Sequence, residues 1–298
     1  MPRLFLLVVG LLGGARAFGQ ELEPGAYSPA PVGMNIAVVA MSYNTGELAF
    51  DPSGPIDNAH ADIWVTALAY ARTLPVAGHS ASLSLALPYA RGPLEGDFLG
   101  QHQNIFRSGV ADPRLRFAVN LIGGPALAPK AFATTPMAST TLGASFVASV
   151  PLGQYDSAKL INIGNHRWAI KPELGLRRVL GPWTLEADVG VWFFTDNTDF
   201  YHGGRREQAP LGSMQGHVIY TFKPRCWLAF DANWYTGGRT TINGRASQDL
   251  QHNSRIGATF ALPVDPQHSI KFSFSRGAFT NIGANFNSCG VAWQYIWR

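Results

Sequence analysis

The chain has 298 residues, of which only 14% are charged, and its formal net charge at pH 7 is +4. Ordinary soluble proteins carry about 25% charged residues, so this composition is unusual for a soluble surface. The positive charge comes from dispersed arginines and not from a basic run, so we expect no nucleic-acid partner. No long apolar run appears after residue 20, which argues against a helical inner-membrane bundle.

The N-terminus has the features of a secretory signal peptide. Arg3 precedes a short apolar core at residues 4–12, and Ala15 and Ala17 have the spacing of a cleavage site. The core is about half as long as a spanning helix, so cleavage is favoured over a retained anchor helix. We therefore assign residues 1–19 to a cleaved signal peptide, residues 20–32 to an N-terminal periplasmic segment and residues 33–298 to one β-barrel domain.

Alternation of apolar and polar residues is the strongest pattern in the rest of the chain. In residues 183–193, Trp183, Val189 and Phe193 fall on one side of a strand. Glu186 and Asp188 fall on the other side, whereas a helix would put Glu186 and Val189 on one face. Lipid on one side of a strand and water on the other explain such a pattern, which predicts a transmembrane barrel.

The alternation recurs along the whole mature chain. The predicted strands are residues 33–44, 62–74, 79–91, 109–121, 139–150, 167–178, 183–195, 213–222, 226–237, 253–262, 268–276 and 284–297. Short turns follow the second, sixth, eighth and tenth strands, and most loops after the odd strands are long and Gly-rich. This predicts an all-β, antiparallel up-and-down transmembrane β-barrel of about 12 strands, with short periplasmic turns and long extracellular loops. Only the Pro-rich linker at residues 123–137 resists this scheme, and either a flap or a short helix would fit it.

The last predicted strand ends in alternating aromatic residues, Trp293, Tyr295 and Trp297. It resembles the closing strand of barrels that are inserted by the outer-membrane assembly machinery, except that Arg298 follows the final aromatic residue. We therefore expect two partners for this barrel, the lipid of a bacterial outer membrane and that assembly machinery. The alternative is the closing strand of a soluble β-protein.

The two cysteines, Cys226 and Cys289, would reach an oxidising compartment, where a disulfide is chemically possible. In the predicted order they lie three strands apart, roughly 14 Å at the usual strand spacing. That separation is too large for a disulfide, so we expect both thiols to be free.

Several segments resemble the meta-pathway phenol-degradation family, whose members are described as outer-membrane transporters. They are residues 22–34 (LEPGAYSPAPVGM), 151–168 (PLGQYDSAKLINIGNHRW) with Pro172 and Glu173, 191–204 (VWFFTDNTDFYHGG), 235–245 (YTGGRTTINGR) and 293–297 (WQYIW). The resemblance implies an outer-membrane barrel that passes small molecules, including aromatic or hydrophobic ones. It implies no catalytic residues and names no substrate.

Charged residues opposite the apolar rows are the candidate pore lining. They are Asp112, Arg114, Arg116, Lys171, Glu173, Arg177, Glu186, Asp188, Asp231, Arg255 and Lys271. An ion on the lipid face would cost about 2 to 4 kcal/mol, so these side chains should point inward. Either they line an aqueous pore, or they pair with one another and fill the interior. A four-residue turn at residues 180–183 predicts an Arg177–Glu186 pair, because the shorter register would oppose two carboxylates.

The loop at residues 196–210 gathers candidate ligand-binding residues on the extracellular side. These are Asp196, Asp199, His202, Arg205 and Arg206. The loop could fold into the barrel as a constriction, bind a ligand or remain solvated. The spacing of its acidic residues does not define a calcium loop, and we expect no metal and no other cofactor.

No hydrolase, zinc-protease, P-loop or dinucleotide-binding motif is present, so we do not expect an enzyme. A hydrolase whose triad is assembled from distant strands stays open. The leading hypothesis is a passive channel or uptake porin for small-molecule solutes. A plugged structural or adhesion barrel whose outer loops bind ligands is the alternative, and a soluble β-sandwich enzyme is a third possibility.

Overall fold

The computed structural model describes residues 22–50, 52 and 56–298. The predicted signal peptide and the first two residues after it lie outside these ranges. In chain order the elements are β1 (Asn35–Ala49), β2 (Ile56–Val76), β3 (His79–Phe98), β4 (Gln101–Val110), β5 (Arg114–Ile122), α1 (Pro129–Thr134), β6 (Thr140–Ser149), β7 (Ala169–Leu180), β8 (Trp183–Phe194), β9 (Asn197–Phe200), β10 (Gly204–Gln208), β11 (Leu211–Lys223), β12 (Cys226–Gly237), β13 (Thr240–Ile242), β14 (Arg245–Ala246), β15 (Gln251–Pro263), β16 (His268–Phe279) and β17 (Gly283–Trp297).

The main sheet closes on itself because β1 pairs with strands from both ends of the chain. Asn35 lies opposite Trp297 of β17 on one side and Arg72 of β2 on the other. The sheet holds thirteen strands, but β4 and β5 share one wall position, since β4 pairs with the outer part of β3 and β5 with its inner part. The result is a closed antiparallel barrel of 12 strands, which confirms the predicted fold class.

The faces of the wall are inverted relative to a soluble protein. Trp183, Val189 and Phe193 of β8 are about half exposed on the outside, while Glu186 and Asp188 are buried inside. Trp293 and Val291 of β17 also point outward. The alternation therefore divides the chain as predicted, with apolar side chains outside, where lipid replaces water as the solvent.

Strand limits differ from the prediction mainly at the extracellular end. Strand β2 begins at Ile56 instead of 62, and β3 continues to Phe98 instead of 91. Together with β4, these two strands extend the wall on the extracellular side, past the limits that the apolar–polar alternation predicted. The bilayer does not constrain this extension, so its sequence lacks a lipid-facing apolar row and escaped prediction.

The periplasmic connections are short, as predicted. The turn after β2 contains only Ala77 and Gly78, both with positive φ, the backbone of a tight hairpin turn. For the linker at residues 123–137, a flap and a short helix are both compatible with the sequence. The structure shows the short helix α1 there. Within the described ranges, no helix is long and apolar enough to cross a membrane.

Cys226 is buried near the β11–β12 turn, whereas Cys289 is exposed on the outer face of β17. The strand order places β15 and β16 between their strands. Both cysteines are free, which confirms that expectation.

Candidate functional site

The interior wall carries nearly all of the predicted pore-lining charges. The side chains that are buried inside the barrel are Arg116, Lys171, Glu173, Arg177, Glu186, Asp188, Asp231, Arg255 and Lys271. Arg114, the first residue of β5, is half-buried. Period-two alternation on adjacent strands brings these residues together, since every second residue of each strand faces inward.

Several of the interior charges form ion pairs. Arg177 lies directly opposite Glu186 across the β7–β8 ladder, with Nε 3.2 Å from Oε1, so the predicted pair is confirmed. Lys171 Nζ donates a hydrogen bond of 2.7 Å to Glu173 Oε2, two residues further along β7. Such pairs offset the cost of removing charges from bulk water.

Two further cations contact groups on other strands of the wall. The Arg255 guanidinium donates to the Phe286 carbonyl at 2.7 Å and to the Ser275 hydroxyl at 3.1 Å, so it links β15 to β16 and β17. Lys271 Nζ lies 5.8 Å from the centroid of the Trp227 ring. These contacts fix both side chains against the wall.

A buried histidine–aspartate pair lies on the inner wall at β11 and β12. His217 Nδ1 and Asp231 Oδ1 are 2.7 Å apart, and Thr259 donates to the other carboxylate oxygen at 3.0 Å. The ladder places Glu186 on the opposite side of His217. The two residues that lie opposite His217 on the adjacent strands, Asp231 and Glu186, are both carboxylates. They supply no serine or cysteine nucleophile for a hydrolytic triad.

Asp188 is an interior acidic residue whose carboxylate makes no hydrogen bond. Neither of its carboxylate oxygens has a hydrogen-bond partner among the described residues, and its relative exposure to solvent is 4%. Two acidic groups, Glu173 and Glu186, and two basic groups, His217 and Arg116, act on it electrostatically. A carboxylate enclosed by protein and left without a hydrogen bond costs several kcal/mol, so Asp188 needs water, a cation or a bound proton.

The N-terminal segment, defined here as residues 22–33, lies inside the barrel. The amide of Glu23 donates to Gln215 Oε1 at 3.2 Å, and the amide of Gly25 donates to Glu186 Oε2 at 2.5 Å. Nearer the periplasmic end, Ser80 donates to the carbonyl of Ala30 at 2.8 Å. For residues 22–32 this differs from the predicted N-terminal periplasmic segment at residues 20–32, whose first two residues lie outside the described ranges. The segment is too short and irregular to show alternation, and its interior partners come from distant strands.

Tyr27 is the best-anchored side chain of the N-terminal segment. Its hydroxyl donates to Glu173 Oε1 at 2.9 Å and lies 2.9 Å from the Ser145 hydroxyl. The Arg116 guanidinium lies 5.1 Å from the centre of the Tyr27 ring. Each of these partners faces the interior, so Tyr27 binds the segment to the wall at β5, β6 and β7.

Asp112 lies in the break between β4 and β5, so its role differs from that of the charges on the strands. One carboxylate oxygen accepts the Gly153 amide at 2.9 Å. The other accepts the Asn165 amide at 2.9 Å and the Asn165 side chain at 3.0 Å. Asp112 therefore organises the connection between β6 and β7, which we call the 150–168 loop.

The 150–168 loop folds inward across the extracellular end of the barrel. Ile161 packs against an apolar cluster that includes Ala61, Leu94 and Phe286 on the inner faces of β2, β3 and β17. Tyr155 donates to the carbonyl of Asp199 at 3.0 Å, which joins the loop to the next one. By sequence, residues 196–210 are a candidate for an inward constriction, but in the structure it is the 150–168 loop that folds inward.

Residues 196–210 instead form part of a small sheet at the rim. Strands β9 and β10 pair with each other, and β10 pairs with β13 to give a four-stranded sheet. Arg205 forms ion pairs with Asp196 and Glu207, and Arg206 lies 5.5 Å from the Phe200 ring centre. Asp199 and His202 are exposed, and their backbone atoms bond to the 150–168 loop. No cluster of metal-binding side chains occurs in the part of the chain that the structure describes.

Solved structures with the same architecture come from outer-membrane proteins and autotransporters. The COG4313 outer membrane channel from Pseudomonas putida F1 matches with a TM-score of 0.79 at 20% identity, over 93% of this chain and 100% of that chain. The β domain of the Bordetella autotransporter BrkA matches with a TM-score of 0.50 at 13% identity, over 89% of this chain and 99% of that one. These likenesses establish the fold. No curated protein matches the chain in sequence.

The fold and the apolar exterior together define the cellular location. A closed barrel satisfies all wall hydrogen bonds internally, and its outward apolar side chains require a lipid solvent. The chain is therefore a bacterial outer-membrane protein, as predicted. A family model described as "Putative MetA-pathway of phenol degradation" matches residues 44–287, and the chain belongs to that family.

Proposed function

We propose that this protein is an outer-membrane channel through which small molecules diffuse passively, with no catalysed reaction. The observation that carries the proposal is the unpartnered carboxylate of Asp188 inside a closed barrel. In a dry, filled interior that group would have to take up a proton or stay ionised without a hydrogen bond, whereas a water-containing lumen solvates the carboxylate. The description of the Pseudomonas putida protein as a channel agrees with this proposal.

The pore is lined by charges of both signs, which favours weak selectivity over a strong preference for one ion. On the strands, the basic residues are Arg114, Arg116, Lys171, Arg177, Arg255 and Lys271. The acidic residues there are Glu173, Glu186, Asp188 and Asp231, to which the N-terminal segment adds Glu23. Because many of these groups are paired, the solute meets a polar wall of low net charge.

The second candidate is a plugged structural or adhesion barrel. The observation that favours it is the N-terminal segment, which occupies lumen space between Gln215 and Ser80. The ion pairs Lys171–Glu173 and Arg177–Glu186 would also stabilise a filled interior. In that case the rim sheet and the loops would bind a ligand, and the barrel would only carry them.

Proteoliposome swelling separates the two candidates. The mature wild type and a Tyr27→Ala variant are reconstituted, and folding of each is verified by heat-modifiable gel migration. We expect swelling in arabinose, glycine and benzoate that slows with solute size, and faster swelling for Tyr27→Ala because the N-terminal segment loses its best anchor. Swelling of the variant alone would mean a channel closed by that segment. If neither folded protein admits any solute, the channel is excluded and the plugged barrel stands.

The closing strand β17 also supports our proposal that the outer-membrane assembly machinery is a partner. Its outward row of Val291, Trp293, Tyr295 and Trp297 is stacked in part, with 5.1 Å between the rings of Tyr295 and Trp297. Replacing Trp297 with alanine should lower the amount of folded barrel in cells without changing the conductance of the channels that do assemble.

A further inference from the structure

The inner wall changes character above the level of the membrane. Around Glu173 and Asp188 it is polar and charged, but the outer extension of β1 to β4 turns apolar side chains inward. Leu94 and Ala61 are buried there, with Leu48 and Ile105 packed against them. Extracellular extensions normally meet water on both sides, so an inward apolar surface at this height indicates something other than a solvated rim.

The 150–168 loop faces this apolar surface and closes it from the lumen side. Arg107 of β4 donates from Nε to the carbonyl of Ile161 at 2.9 Å, which fixes the loop above the strands. Within the loop, Asn162 donates to the carbonyls of Asp156 and Lys159 at 3.0 and 2.8 Å. The loop is therefore held by directed hydrogen bonds, and the apolar side chains beneath it do not need to pack tightly to keep it in place.

A cavity of about 280 Å³ remains between the loop and the strands. Its apolar lining includes Leu48, Leu94, Phe98, Ile105, Leu160 and Ile161. The space is a partly open pocket and not an enclosed packing void, so a solute can enter it. Apolar cavities of roughly 150 Å³ bind benzene, and this one would hold about ten non-hydrogen atoms by the same measure.

We propose that this cavity is a binding site for uncharged, apolar small molecules of about that size. The charged residues of its lining do not suit an anionic ligand, because Glu95 and Asp97 are acidic and Arg107 already donates to the carbonyls of Ile161 and Phe106. Lys159 Nζ is 2.7 Å from Asp156 Oδ2, and Asp97 accepts a hydrogen bond of 2.8 Å from Asn58. An anionic ligand would lose its hydration against the aliphatic lining and meet only cations that already have protein partners.

The position of the cavity gives the site a role in transport. It lies at the extracellular mouth of the barrel, between the 150–168 loop and the outer extension of β1 to β4, so it can concentrate apolar solutes there before they pass inward. This role rests on the proposed channel function, whereas binding itself does not.

Binding can be measured by ¹⁹F NMR on the full mature protein in lipid nanodiscs, with empty nanodiscs as the background. The probe is 4-fluorotoluene, and 4-fluorobenzoate is the charged probe of similar size. Leu94→Trp fills the cavity, and Leu85→Trp is the matched control because Leu85 lies on the same strand but faces lipid. Ile161→Asp puts a charge into the loop wall and leaves the strands intact, in case Leu94→Trp fails to fold.

We expect saturable, protein-dependent broadening of 4-fluorotoluene for the wild type and Leu85→Trp, and none for 4-fluorobenzoate. Leu94→Trp and Ile161→Asp should each weaken binding roughly tenfold or more, because burial of the apolar ring supplies most of its affinity. The site is refuted if Leu94→Trp and Ile161→Asp bind like the wild type, or if the benzoate binds as well as the toluene.

Swelling in arabinose, measured on the same proteins, keeps the two proposals apart. Vesicles that fail to swell while the probe still binds would overturn the channel and leave the site standing. Vesicles that swell normally while the wild type binds no probe would remove the site and leave the channel.

Discussion

Gly143 of β6 lies directly opposite Gly175 of β7, and the ring of Tyr27 occupies the space that two side chains would fill. A Cβ atom added at Gly143 would meet the ring at 2.0 Å, and one added at Gly175 would meet it at 2.1 Å. Glycine is unfavourable within a strand, so a cross-strand pair of glycines marks a place where another group approaches the backbone closely. The wall and the N-terminal segment are therefore complementary in shape.

Substitution of Gly175 with alanine should displace the Tyr27 ring and release the N-terminal segment from the wall. The added methyl group would also fall 2.3 Å from Asp188 Oδ1, so the ring has no easy alternative position beside the strand. We expect a higher single-channel conductance and faster proteolytic removal of residues 22–33 from the periplasmic side.

Gly216→Ala is the matched control for this substitution. Gly216 also lies within a strand, but the nearest atom to an added Cβ is the Glu186 carbonyl oxygen at 4.0 Å. An equal rise in conductance for both variants would show that loss of a strand glycine, and not displacement of Tyr27, is responsible.

Neutralising Asp188 should shift ion selectivity toward anions. Asp188→Asn keeps the shape of the side chain and breaks no hydrogen bond among the described residues. It relieves repulsion from Glu173 and Glu186 and gives up attraction to His217 and Arg116, so the barrel should keep about the stability of the wild type. Reversal potentials in a salt gradient measure the shift, and Glu207→Gln at the rim is the control.

Two results would count against Asp188 as a pore-lining residue. One is an unchanged reversal potential and conductance for Asp188→Asn, together with an unchanged result for Glu186→Ala. The other is an equal shift for Glu207→Gln, which would place the selectivity in the rim and not in the lumen.

Sequence patterns predicted the wall far better than its contents. The period of two fixed the inward positions of Glu186 and Asp188 and, with the turn length, the Arg177–Glu186 pair. These features depend on neighbours along one strand or across one turn. The bilayer enforces them at every step, because an error would expose a charge to lipid.

The interior segments could not be placed in this way. Tyr27 meets Ser145 and Glu173, more than a hundred residues away, and neither composition nor spacing encodes such contacts. A signal was nevertheless present, because residues 22–34 and 151–168 are two of the segments that carry the family resemblance and neither alternates. Both fold into the barrel, so long family motifs without strand periodicity pointed to the lumen.

Removal of the Asp112 carboxylate should loosen the 150–168 loop. Asp112→Ala leaves the amides of Gly153 and Asn165 without their acceptor, and hydrogen bonds to a charged group contribute about 1.5 to 3 kcal/mol each. We expect faster hydrogen exchange of residues 152–166 and larger current fluctuations in planar bilayers. Asp199→Asn is the control, because Asp199 contacts the loop through its backbone carbonyl, which the substitution keeps. Unchanged exchange in Asp112→Ala would mean that Arg107 and the apolar cluster hold the loop without it.

The depth of an outward-facing residue should decide how much a charge at that position destabilises the barrel. Phe230 of β12 is 62% exposed and pairs with Val218 and Ala258. All three residues lie away from the ends of their strands, so the Phe230 ring lies within the hydrocarbon layer. Phe222 of β11 is similarly exposed, at 58%, but lies one residue before the end of its strand at the periplasmic turn.

Phe230→Arg should therefore lower the free energy of unfolding in lipid vesicles by about 2 to 4 kcal/mol, and Phe222→Arg by about 0 to 1 kcal/mol. Reversible denaturation followed by tryptophan fluorescence gives both values. Since the two substitutions are chemically identical and both rings are solvent-exposed by the same measure, only the surrounding solvent distinguishes them. Equal losses would mean that water, and not a hydrocarbon layer, surrounds Phe230. The assignment of the outer face to lipid would then fail at that strand.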